Sequence, residues 1–474
     1  MCWRWCRCSE AKNLQINAIS AALLALGLAA GAVRAWGDES AARQLSIDAT
    51  VTVGALRPLN GVQAEDAQGA AFYRTAHIDL VRIPDAAGAG DIDAIFPDMS
   101  ADVENPKSYN FAASDRLVGS IRSSGAEPLF RIGRSANAGG EPPPDLDKWA
   151  QIVRHVVLHY NAAWAKGFRY GIRYWEIWNA PDSKQSWSGS AADYYYLYDK
   201  TARAIQAADP DALIGGPAIS KPLIAGDYRE KFIDFVRSNR LPLDFFSWHF
   251  YAVDSNDPNV FVTIARQLRT MLDARGFGSA KNILDEWNAD PAEEDADNAA
   301  QGAFAASSLI YMLGGPIDAQ TYRRNAASVR LSDGAADAVG SALGAFGTLK
   351  STPLLIRTTG GDDSGFAVVA GRSKDNRLVQ ILISNYQVAS KYLHPRNNWD
   401  TSLPERRTLQ YSNNGGYDVT VSLPASGKYQ VKRYRLGDSS NFALLDQRIE
   451  SGPSIELQAA LPPPALELIV ISAK

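Results

Sequence analysis

From about Ile47 to Gly344, short apolar runs alternate with segments of helical period; beyond that the period changes. The runs are Ile78–Arg82, Glu127–Arg131, Tyr174–Trp178, Ala212–Gly215, Phe245–His249 and Asn282–Glu286. Each is apolar-rich and bounded mostly by Gly, Pro, Asn or Asp, which predicts buried parallel strands. Between them, Trp149, Ile152, Val153, Val156, Val157, Tyr160 and Trp164 recur at three- and four-residue spacing. That spacing predicts one face of a helix, closed at Gly167. Val262 to Arg275 behaves the same way and stops at Gly276. Repeated βα units of this length predict an α/β fold, a (β/α)8 barrel of the TIM type. No G-x-G-x-x-G follows a strand, so a dinucleotide-binding sheet has little support.

After about Ala345 the apolar period is two. Gly365–Ala370, Leu378–Ser384, Tyr417–Leu423, Lys428–Tyr434 and Leu466–Ser472 read as antiparallel strands between Gly/Asn/Asp/Ser-rich turns. The expected organisation is a barrel over 36–344 and a C-terminal β-sandwich over 345–474, with Ser46–Val53 as a candidate extra strand of the sandwich.

Composition narrows the class. The chain has 474 residues, 46% apolar and 21% charged, with a formal net charge of −4 and no basic run. These values exclude a disordered, collagen-like or multi-spanning membrane chain and argue against a nucleic-acid partner. Residues 1–35 differ: Arg4, Arg7 and Lys12 precede an apolar stretch, Ile16–Val33, that ends in Val33-Arg34-Ala35. This reads as a secretory signal peptide cleaved after Ala35, hence a secreted or periplasmic protein with no integral membrane domain once it is removed. Its long basic start leaves an uncleaved anchor as the alternative. Cys2, Cys6 and Cys8, the only cysteines, all lie in that leader, so no disulfide is expected in the remainder.

In a barrel the working residues lie at the C-terminal ends of strands. Two ends stand out, Trp175-Glu176-Ile177-Trp178-Asn179-Ala180-Pro181-Asp182 and Ile283-Leu284-Asp285-Glu286-Trp287-Asn288. Indole faces stack on the C–H faces of sugars, and carboxylates attack or protonate at an acetal. Either end alone also reads as a hydrophobic strand end with a solvated cap.

Taken together, these motifs resemble glycoside hydrolase family 39, which includes β-xylosidases and α-L-iduronidases. Gly215-Gly216-Pro217-Ala218, Asp244 to Tyr251, and Tyr429 to Arg435 followed by Asp438 to Asn441 extend the likeness along the chain. The resemblance implies a retaining mechanism on β-xyloside-like or related glycosides, with an oligo- or polysaccharide partner, no cofactor and no metal. By the same likeness Glu286 is the nucleophile, Asn179 contacts the sugar 2-OH, and Tyr251 holds Glu286 in register. His249 and Arg82 line the mouth, with Trp178, Trp287 and Trp187 as further substrate-binding residues. Pro84 stands where the family usually has His.

The main departure is Ala180, at the position of the family's acid/base glutamate. General-acid help is worth roughly 10²–10⁴-fold, so loss of the carboxyl is expected to impair hydrolysis. Glu176 lies about 13 Å down the strand at roughly 3.3 Å per residue, too deep to replace it, and Asp182 serves only if its loop is unusual. An encoded alanine, an engineered one, or a proton supplied by another group all fit. A carbohydrate-binding pseudoenzyme with an intact sugar pocket is the alternative function.

Other features read as packing or solvated loop. His155 and His159 have the spacing of a zinc pair but lack a third ligand, and are expected on a solvated helix face. Asp362-Asp363 and Glu293-Glu294-Asp295 lack calcium-loop spacing, and Tyr194 to Tyr198 reads as helix packing. Asp285 is expected to point away from Glu286 as a structural acceptor. Arg131 and Arg134 either meet a uronic acid carboxylate or pair with a neighbouring Asp.

Overall fold

A computed structural model describes residues 42–64, 66–84, 88–134, 140–252, 257–289, 299–323, 337–386, 388, 415–436 and 442–474, all within the compact unit Ser40–Lys474. The expected leader, Glu293–Asp295 and the stretch 438–441 lie outside the described residues. After β1 (Arg43–Ala55), eight parallel strands close a barrel: β2 (Gly61–Gln63), β3 (Leu80–Ile83), β4 (Glu127–Ile132), β5 (Tyr174–Ile177), β6 (Leu213–Ile219), β7 (Phe245–Tyr251), β8 (Lys281–Asn288) and β9 (Ala319–Tyr322). The first and last of these escape the apolar-run pattern. β2 has three residues, too few to show a period, and a Cβ at Gly61 would collide with the carbonyl of Gln320. β9 is Ala-Gln-Thr-Tyr, whose polar residues are spent inside: Gln320 accepts from the Trp287 indole N–H and donates to the Leu59 carbonyl.

The remaining strands are β10 (Leu354–Thr359), β11 (Phe366–Arg372), β12 (Leu378–Asn385), β13 (Gly416–Leu436), β14 (Ala443–Ala460) and β15 (Ala465–Ala473). They form one sheet with β1, in the order β1-β10-β11-β12-β15-β13-β14, and β13 also pairs with β1. The expected sandwich region is therefore one continuous sheet that turns back on itself at β13, which pairs over Tyr417–Ser422 with β1 and over Tyr429–Leu436 with β15. The buried positions of β13 alternate, first Tyr417, Val419, Val421 and Leu423 and then Tyr429 and Val431, the period-two signature of an inward face. β14 shows no such signature because most of its residues are exposed.

The helix Ala299–Leu313 joins sheet and barrel. Its Ser307 hydroxyl donates to the Gly365 carbonyl at 2.9 Å and lies 3.0 Å from the Ser384 hydroxyl, and one apolar cluster continues from Phe304 and Leu309 to Leu382 and Leu468. The helix Leu146–Ala162 starts where the Asp145 carboxylate accepts from the Asp147 and Lys148 amides. It ends at Ala163, in left-handed geometry (φ 61°), rather than at Gly167. Gly167 is needed for a different reason: a Cβ there would strike the His159 carbonyl. His155 and His159 on this helix are buried, not solvated, because residues 103–111 cover them. Tyr109 Oη sits 3.2 Å from His155 Nδ1, and His159 Nε2 lies 2.9 Å from Asp115 and stacks on Phe111. Among the described residues no helix is long and apolar enough to cross a membrane.

Candidate active site

One backbone irregularity shapes the centre of the barrel mouth. On β8, Leu284 pairs with Trp248 and Glu286 with His249, so Asp285 is an extra residue that neither neighbouring strand matches. A bulge of this kind leaves a carbonyl outside the ladder and breaks side-chain alternation. The Asp285 carbonyl is instead taken by Gln63 Nε2 at 3.1 Å and by the Thr321 hydroxyl. The Asp285 and Glu286 carboxylates consequently converge on the same guanidinium, correcting the expectation that alternation turns Asp285 away. It is an acceptor, as expected, but inside the site.

That guanidinium belongs to Arg82, which is fully buried at the end of β3. Its Nε meets Glu176 Oε2 at 2.7 Å, its Nη2 meets Asn179 Oδ1 at 2.7 Å and Asp285 Oδ2 at 3.1 Å, and its Nη1 meets Glu286 Oε2 at 3.3 Å. With Oδ1 engaged, the Asn179 amide offers its N–H₂ as donor.

Glu286 accepts from four side chains. Oε1 receives Tyr251 Oη at 2.6 Å and Arg323 Nη1 at 2.7 Å; Oε2 receives Gln63 Nε2 at 2.9 Å and Arg82. Burial alone would raise its pKa, but His249, Arg323, Arg82 and the Gln63 amide outweigh burial and hold it well below the usual carboxylate range. The group is an ionised, oriented carboxylate. Burial and the adjacent Glu286 push the Tyr251 phenol far up, so it stays a donor. His249 Nε2 lies 3.2 Å from Asp285; burial opposes its charge, but Asp285 and Glu286 raise its pKa.

The structure thus gathers Arg82, Asn179, His249, Tyr251 and Glu286 around one point. Gln63 and Arg323 join them, and the sequence reading missed both. Their only sequence signal is a long polar side chain at or just after the ends of β2 and β9, the two strands the pattern did not reveal. Ala180 is buried and left-handed (φ 44°), as are Trp178 (φ 73°) and Ala218 (φ 55°), and the Ala180 amide donates to the Ala218 carbonyl at 2.9 Å. Three non-glycine residues in this region of backbone space mark a strained turn at the ends of β5 and β6. Asp182 is spent on the same turn: its two oxygens accept the Ser220 and Lys221 amides at 2.9 and 2.8 Å.

Trp178, Trp187 and Trp287 are corrected. All three are essentially fully buried, and their indole N–H groups go to Ser186 O, Ser190 O and Gln320. Trp178 packs on Trp149 and Trp187, Trp187 on Tyr194, and Trp287 on Phe261, Phe304 and Tyr322. The rings are thus enclosed by other side chains and leave no exposed face for a sugar. Arg131 and Arg134 pair with Asp91 and Asp93, which removes them as the hint of an acidic sugar. Tyr194 and Tyr198 are buried helix packing, and Asp362 pairs with Arg43 at 2.7 Å. Pro84 directly follows β3.

The site is thus a carboxylate held by Arg, Tyr and Gln at the mouth of a closed parallel barrel. The chain belongs to glycosyl hydrolases family 39, whose family model matches residues 36–303. It is 32% identical over 176 residues to a β-xylosidase from Geobacillus stearothermophilus, covering 33% of each chain. It is 26% identical over 246 residues to a β-xylosidase from Caldicellulosiruptor saccharolyticus, covering 45% of this chain and 48% of that one. The matches thus span a third to a half of these curated relatives. The solved structure of a glucosidase from Croceicoccus marinus matches with a TM-score of 0.82 at 32% identity, over 91% of this chain and 99% of that one.

Proposed function

We propose that this protein is a retaining glycosidase acting on β-xylosides or closely related glycosides of an oligo- or polysaccharide, and that it is weakened by the alanine at position 180. The observation that carries the reading is the ionised Glu286 carboxylate, held by Tyr251, Arg323, Gln63 and Arg82. In this reading Glu286 attacks the anomeric carbon as the glycosidic C–O bond breaks and the aglycone oxygen departs with the bonding pair. Water then cleaves the resulting glycosyl ester to free sugar and regenerate the carboxylate. Asn179, fixed by Arg82, donates to the sugar 2-OH. Position 180 corresponds to the family's acid/base glutamate, and here carries only a methyl group. Among the described residues no carboxyl replaces it: Asp182 is bound to backbone amides, and Glu176 is sealed beneath Arg82. Export through residues 1–35 is part of the same proposal and places the protein with extracellular or periplasmic glycans.

Aryl glycosides test the reading, because a phenolate departs without a proton. Dinitrophenyl β-xyloside and β-glucoside are expected to give a rapid burst of phenol, followed by slow turnover that azide accelerates. The relatives named xylosidase and glucosidase motivate the two sugars. No burst with either favours the second reading, which Ala180 alone motivates: a sugar-binding pseudoenzyme.

A further inference from the structure

Beneath the nucleophile, two buried oxygens have no donor aimed at them: Glu176 Oε1 and Asp285 Oδ1. Each belongs to a fully buried carboxyl group whose other oxygen is held by Arg82. Leaving a buried acceptor unsatisfied is costly, and more so if it is charged. Carboxylates sharing one site cannot all ionise. A single proton removes both problems, with the Glu176 carboxylic acid donating to Asp285.

The surroundings say which residue keeps that proton. Glu176 faces Arg82 from β3, the Ser247 hydroxyl from β7 and Asp285 from β8, while the Tyr194 hydroxyl nearby donates to the Ile177 carbonyl. His249 and Glu286 lie on the far side of Asp285 and Arg82. Burial first, and then Asp285, push the Glu176 carboxyl up to about 8, against the pull of Arg82 and Ser247. Burial would raise Asp285 too, but His249 and Arg82 outweigh it and hold Asp285 below its ordinary value.

We propose that Glu176 is a positioning residue: as a neutral acid hydrogen-bonded to Asp285, it locks the Arg82 guanidinium and thereby the aim of Glu286 and Asn179. This rests on the reading of Glu286 as nucleophile. Of the four Arg82 contacts, the one to Glu286 is the longest, at 3.3 Å against 2.7, 2.7 and 3.1 Å, so it loosens first when Arg82 shifts. Loss of the shared proton would set three carboxylates around one guanidinium and pull it toward the floor.

The test is a pH profile of kcat/KM on dinitrophenyl β-xyloside or β-glucoside. The wild type is expected to lose activity as the pH rises through about 8. Glu176→Ala is expected to lower kcat/KM by an order of magnitude or more at every pH. Glu176→Gln, whose amide accepts from Arg82 and donates to Asp285, restores it and abolishes the alkaline limb. An unchanged limb in Glu176→Gln assigns the titration to another group, such as His249, and overturns the proposal. Infrared spectroscopy of the wild type tests the same proton without turnover or a variant. The C=O band of a protonated carboxylic acid should be present at neutral pH and vanish through about 8. Absence of that band overturns the proposal even if the burst occurs; its presence without a burst leaves the proton in place and removes the nucleophile reading instead.

Discussion

The ends of β5 and β8 each carry a glutamate beside a tryptophan, and the two carboxyls touch the same arginine, yet their chemistry is opposite. Glu176 is fully buried beside Asp285 and faces one cation and the Ser247 hydroxyl, so burial and the neighbouring carboxylate win and it favours the proton. Glu286 is almost as buried but lies beside His249 and takes two guanidiniums, a phenol and an amide, so these outweigh burial and it stays ionised. Depth does not decide the charge of a carboxyl here; the positive charges and donors that face it at that depth do.

That comparison can be broken in several places. Glu286→Gln removes the attacking oxygen and is expected to lower turnover of aryl glycosides on the order of 10⁴-fold or more. A smaller loss than that of Glu176→Gln would reverse the two roles. Ala180→Glu restores a carboxyl to the β5 end at the mouth. It should raise hydrolysis of alkyl glycosides roughly 10²–10⁴-fold, with little change for dinitrophenyl glycosides. An unchanged alkyl rate would mean that position 180 does not face the leaving group.

Arg82→Met leaves Glu176 and Asp285 buried without their shared cation. Breaking such a buried pair costs about 3–5 kcal/mol, readable in urea unfolding, whereas Arg323→Met on half-exposed Arg323 should cost far less. Tyr251→Phe takes one charge-assisted hydrogen bond from Glu286 and is expected to lower kcat/KM about 10- to 100-fold.

A further effect is on stability against pH, and its sign differs between the two glutamates. The Glu176 pKa is raised by folding, so its contribution is complete below the ordinary value of 4.5 and is lost as the pH climbs toward about 8. The Glu286 pKa is lowered by folding, so its contribution is present above its ordinary value and is lost as the pH falls. Urea midpoints of Glu176→Gln should therefore flatten on the alkaline side, and those of Glu286→Gln on the acid side.

The barrel was legible where strands were rich in apolar and aromatic residues, as in Tyr174–Ile177 and Phe245–Tyr251. It was illegible where closure needed a three-residue strand against Gly61, or a strand of polar residues satisfied inside, as at Gln320 and Thr321. The site shows the same limit. Arg82, Asn179, His249, Tyr251 and Glu286 stand at the ends of apolar runs and could be read from the motif pattern. Gln63 and Arg323 follow from β2 and β9, and went unseen with them. The Asp285 bulge breaks the alternation that sequence reading relies on, so both its side-chain direction and its partnership with Glu176 needed the backbone. The tryptophans failed for a different reason: a ring beside a sugar site and a ring packed under it have the same sequence signature.

The most direct test of Glu286 as nucleophile is covalent trapping. The protein is incubated with dinitrophenyl 2-deoxy-2-fluoro-β-xyloside or the corresponding β-glucoside, and its intact mass and peptide masses are then measured. A mass gain of one fluorosugar, mapped to the peptide carrying Glu286 and absent from Glu286→Gln, is the expected result. A folded protein that acquires no adduct from either sugar, or acquires it at another residue, contradicts the account.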